Sequence, residues 1–109
     1  MTNEEFQLII DKLKDEVIKL AIATFNNYKN EAQADALKLI EEMKENIKTW
    51  TFQLAGGEIS KDDFEFLLLA QKELVEMKAL KQAGISLIKA DEFKNSLINL
   101  LAKTIIGLI

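Results

Sequence analysis

The chain has 109 residues, 49% of them apolar and 29% charged, with a net charge of -4, the balance of one folded domain rather than a disordered segment. It holds no Cys, His, Arg or Pro, which excludes disulfides and thiolate zinc sites and removes the commonest general base and transition-metal ligand. Nucleic acid is not an expected partner, because an acidic, Arg-free chain lacks both a basic footprint for phosphate and the bidentate reader of guanine.

Leu, Ile, Ala, Lys and Glu dominate and Gly occurs only 4 times, so the predicted fold class is all-α. Thr2-Asn3-Glu4-Glu5 reads as a capping box opening the first helix. Apolar residues then fall at Phe6, Ile10, Leu13, Val17 and Leu20, closing on Thr24, the three-and-four spacing of a helix packed on another helix. Ile9, Ile18, Ala21, Ile22 and Phe25 widen that stripe, while Lys12, Asp15, Glu16 and Lys19 supply a solvated face with Asp15 and Lys19 placed to pair.

Asn26 to Gln33 is ambiguous. Asn30 with Gln33 can form a second capping box, or an apolar stripe can continue through Ala21, Phe25, Tyr28, Ala32 and Ala36. From Ala36 the pattern is clean: Ala36, Ile40, Met43, Ile47, Trp50 and Leu54 on one face, Asp35, Lys38, Glu42, Glu45 and Thr49 on the other. The helix ends at Ala55, before Gly56-Gly57, where glycine supplies the positive φ of a C-cap.

Ser60-Lys61-Asp62-Asp63 is the next start signal, followed by Phe64 to Ala70 and then Leu74, Met77 and Leu80. Ala83-Gly84 is the second ambiguous place. Beyond it Leu87, Ala90, Phe93, Leu97, Leu101, Ile105 and Leu108 carry a stripe to the end. Asn30 and Ala83-Gly84 lie equally far from the Gly pair on its two sides. The expected architecture is an antiparallel hairpin about Gly56-Gly57 in one domain, residues 1–109. Its two forms are a four-helix up-down bundle (residues 3–28, 31–55, 61–82 and 85–107) or two long helices (3–55 and 61–107) in an oligomeric bundle. The second form would be about 75 Å long at 1.5 Å per residue.

No motif carries chemistry, and no catalytic, cofactor-binding or metal-binding residue is expected. Gly57 to Phe64 superficially resembles the end of a calcium loop, but the positions that should carry oxygen ligands hold Phe52, Leu54 and Gly56. Glu41, Glu42, Glu45, Glu73 and Glu76 flank the apolar seams and read as solvated charges. Ser60, Ser86 and Ser96 have no histidine base.

Two features point to association instead. Trp50, Phe52, Phe64 and Phe66 crowd beside the Gly pair, as a packed cap or as a contact tip. From Ser96 onward the polar strip of the last helix (Ser96, Asn99 and Lys103) is one residue wide, which makes Leu97, Leu101, Ile105 and Leu108 an expected interface, with ordinary bundle core and a membrane-seeking face as the alternatives. The expected function is a non-enzymatic structural or interaction subunit, a homo-oligomeric dimer or tetramer or the binder of a protein partner. The rival expectation is a membrane-active or lipid-binding helical protein. An acidic, amphipathic start without a signal sequence makes the cytoplasm the expected location.

Overall fold

The computed structural model describes residues 1–109, and its first helix begins where the capping box places it. The Glu5 N–H donates to Thr2 Oγ1 at 3.1 Å and the Thr2 N–H to Glu5 Oε1 at 3.0 Å, opening α1 (Asn3–Thr24). Phe25 then leaves the helix at φ -125° and ψ 71°, and Asn26–Tyr28 form one 3₁₀ turn before α2 (Lys29–Ala55). The break therefore falls earlier than an Asn30 cap would put it, α1 ending four residues before Tyr28 and α2 starting two before residue 31. Asn30 lies inside α2, whose first turn has no side-chain cap. The cause is tertiary: Phe25 turns inward and meets Phe93 edge-on, with ring centroids 5.1 Å apart.

At the central turn Gly56 keeps a right-handed backbone, and Gly57 takes the positive φ, +75°. The Ser60–Asp63 box is formed in both directions, at 3.0 and 3.1 Å, and opens α3 (Lys61–Ala70). The expected helix over residues 61–82 is not continuous. After α3 come a 3₁₀ turn at Gln71–Leu74 and an extended Val75, and only then the short α4 (Lys78–Gln82). Across this stretch Val75 and Met77 are buried while Leu74, Glu76 and Lys78 are exposed. That two-residue alternation belongs to extended chain, not helix. Gly84 follows at φ +95°, and Ser86 caps α5 (Leu87–Leu108) through the Lys89 N–H at 3.3 Å.

Cross-chain pairs fix the topology. Phe6 meets Phe52 at 6.0 Å and Lys14 lies 3.9 Å from Glu41, so α1 and α2 are antiparallel. Asn46 donates to Gln71 and Ala79 to Asp35, so the third rod, α3 plus α4, runs back along α2. α5 returns beside α1, with Phe93 near Phe25 at one end and Leu108 near Leu8 at the other. The result is the four-helix up-down form, all-α, with its third rod in two pieces. Its long axis of 43 Å matches α2 at about 40 Å for 27 residues and leaves no room for the extended hairpin.

A single core of 26 buried apolar residues runs along the bundle. It takes Phe6, Ile10, Leu13 and Val17 from α1 and Leu39, Ile40, Met43 and Ile47 from α2, with Phe64 and Leu68 from α3. From α5 come Phe93, Leu97, Ile98, Leu101 and Ile105. The accessible surface of 6253 Å² agrees with the roughly 6,100 Å² of a compact monomer of this mass. The chain closes its core by itself.

Candidate interaction surface

The eight residues expected to form an interface divide sharply. Phe64, Leu97, Leu101 and Ile105 are fully buried in the bundle. Trp50 and Phe52 are half-buried against the core, with Phe52 lying on Phe6. Only Phe66, 72% exposed, and Leu108, 52% exposed, face solvent. The nearly all-apolar circumference of α5 has an internal explanation. α1 covers one flank and α3 the other, and both flanks are needed to close the core. The polar residues Ser96, Asn99 and Lys103 form its solvent strip as expected.

Asp35 moves the other way. Its spacing puts it among the solvated charges of α2, yet it is 2% exposed. The first turn of α4 packs there and presents two backbone N–H groups, which the carboxylate accepts at 2.9 Å each. On the opposite side Lys94 Nζ donates to the Val75 carbonyl at 2.9 Å and lies 3.7 Å from Asp91. The non-helical stretch is thus held from α2 and from α5 at once. The expected Asp15–Lys19 pair is absent; Glu16 takes Lys12 at 3.2 Å and Lys19 at 3.9 Å. Glu41, Glu42, Glu45, Glu73 and Glu76 are exposed, with Lys38 3.6 Å from Glu42. Ser60 and Ser86 serve as helix caps.

What the surface offers is a set of outward apolar side chains. Leu8, Phe66, Leu74 and Ile88 are each about 70% exposed, joined by Leu87 and by Leu108 and Ile109 at the end of α5. At the end of the bundle holding the N-terminus, a recess of about 320 Å³ lies between Met1, Leu8, Ile9 and Leu108, rimmed by Glu5 and Lys12. The Thr2 backbone N–H, and then its hydroxyl, hold the Glu5 carboxyl below its ordinary value. At the other end a more polar cleft of about 500 Å³ opens over Phe25 and Phe93, walled by Tyr28, Asn27, Lys89 and Glu92. No helix is long and apolar enough to cross a membrane. Comparison with protein-family models, with curated proteins and with solved structures found no match for the chain.

Proposed function

We propose that this chain is a non-enzymatic structural or interaction subunit that associates with copies of itself through side chains exposed on a closed bundle. One observation carries the reading: the core is complete, yet large apolar side chains still stand outward, Leu8 and Leu108 among them around a recess. Isolated exposed apolar residues are ordinary, whereas a cluster that walls a recess favours an apolar partner. The surface differs from the one read off α5, since the seam of that helix faces inward. In this reading the protein works in the cytoplasm.

Light scattering over a concentration series tests it. The expected result is a mass rising above 12.4 kDa as the protein passes about 100 μM, the range of small interfaces. A constant monomer mass to about 500 μM overturns self-association. A second reading, contact with lipid, draws on exposed Phe66 next to the central turn, with Lys61 beside it in sequence. The net charge of -4 opposes attraction to anionic bilayers. Co-sedimentation with neutral and anionic vesicles decides it, and protein left in the supernatant with both removes it.

A further inference from the structure

We infer that two copies pair antiparallel through the outer face of α1, about a two-fold axis between Asp11 and Lys12; this rests on the self-association proposed above and names its surface. Leu8, Asp15 and Ile22 recur every seven residues along α1, Met1 precedes the helix at the same interval, and all four are exposed. A seven-residue recurrence keeps side chains in one row on a helix. This row lies on the far side of α1 from Ile10, Leu13 and Val17, which face the core. Leu8 is 69% and Ile22 40% exposed, so both leave apolar surface outside the closed bundle, as does Met1 ahead of the helix.

Charge selects the direction of pairing. In a parallel pair Glu4, Asp11 and Asp15 would each stand beside its own copy, three like-charge contacts along one face. The antiparallel pair removes them. It sets Glu4 against the partner's Lys19 and Asp11 against the partner's Lys12, and the two-fold axis makes each contact twice. Ile22 then reaches the partner's Met1, at the recess walled by Leu8 and Leu108. Leu8 falls beside the partner's Asp15, where the methylene stems of neighbouring lysines cover it. Within one chain these charges are only loosely engaged: Glu16 takes Lys12 and Lys19, and Asp11 accepts a hydrogen bond from Gln7 at 3.1 Å. Exposed pairs of that kind are easily exchanged for contacts across an interface.

One helix pair is a small interface, below about 1,200 Å² in total, so the dimer is a weak one. Sedimentation velocity on the full chain, from about 10 to 500 μM, provides the test. Lys12→Glu sets acid against acid twice and is expected to weaken the dimer about tenfold or more. The swap Asp11→Lys with Lys12→Glu restores opposite charges and is expected to return affinity to within about threefold of the original. Leu8→Glu also weakens it, by removing an apolar contact and setting acid beside the partner's Asp15, away from the Asp11–Lys12 pairs. All three positions are exposed, so an unchanged circular dichroism spectrum separates lost association from lost folding. If the original chain dimerises and Lys12→Glu and Leu8→Glu do so equally well, the α1 face is wrong while self-association stands. If Lys12→Glu weakens the dimer and the swap fails to restore it, the antiparallel register is wrong. A monomer throughout the series removes both readings.

Discussion

Asp35 Oδ2 accepts the Leu80 N–H at 2.9 Å across 45 residues of sequence, and its Oδ1 accepts the neighbouring Ala79 N–H at the same distance. One carboxylate on α2 therefore caps the first turn of α4, whose own preceding residue, Met77, offers no side-chain cap. A short helix buried at its start leaves backbone donors that need an acceptor. Here the acceptor is supplied from another helix, with the charge sign that a helix N-terminus favours. The Lys94 bond to the Val75 carbonyl satisfies the adjoining extended segment in the same way. Together they make the interrupted third rod a stable part of the bundle.

Removing the Asp35 carboxylate should therefore cost far more than a surface charge. Asp35→Ala strands two N–H groups in a region with little water and is expected to lower stability by about 2–4 kcal/mol. Asp35→Asn keeps one acceptor oxygen and should recover part of that loss. Urea unfolding followed by circular dichroism measures both. A loss under about 0.5 kcal/mol for Asp35→Ala would show that the cap contributes little.

Leu101→Asp with Ile105→Asp should unfold the chain rather than dissociate it. Both side chains are fully buried among the four rods, so each substitution removes packing and leaves an uncompensated buried charge. Large-to-small changes alone cost about 2–5 kcal/mol per site, against a total stability of about 5–15 kcal/mol for a domain. Loss of helical circular dichroism at room temperature is the expected outcome. A folded monomer carrying both aspartates would contradict the core position of α5.

Thr51 predicts a change of the opposite sign. It is fully buried on α2, and its hydroxyl has no hydrogen-bond partner. Thr51→Val keeps the branched shape and removes the unpaired polar group, so it should leave stability unchanged or raise it by about 1 kcal/mol. A drop above about 1 kcal/mol in thermal or urea unfolding would reveal a partner for that hydroxyl.

Features decided within one or two helical turns were legible in the residues. The Thr2–Glu5 box, the Ser60 cap, the stop at Gly56-Gly57 and the stripes of α1 and α2 all depend on neighbours a few positions apart. The α4 cap depends on a neighbour tens of positions away, and nothing nearby announces it; the Asn-rich run after Phe25 signals a break, but its exact place goes with the distant contact to Phe93. The third rod shows the limit most clearly. Leu74, Met77 and Leu80 have helical spacing, yet Leu74 is exposed and Met77 is buried from a non-helical backbone. Apolar spacing cannot distinguish these outcomes when no Gly or Pro marks the break. At α5 the difficulty was one of attribution, because a wide apolar circumference reads alike whether a partner or the chain itself covers it. On α1 the same difficulty runs the other way: Ile22 reads as part of the widened stripe, yet it is exposed, as is Leu8, which no stripe includes.

By itself the sequence determined an all-α chain reversing at Gly56-Gly57, because caps, glycine backbone freedom and helical periodicity are local properties. Only the tertiary structure decided between a closed bundle and an open hairpin, and which apolar faces remained outside. That choice depends on whether buried donors find acceptors across the core. It also depends on whether the chain's own helices cover the apolar flanks of α5, and here they do.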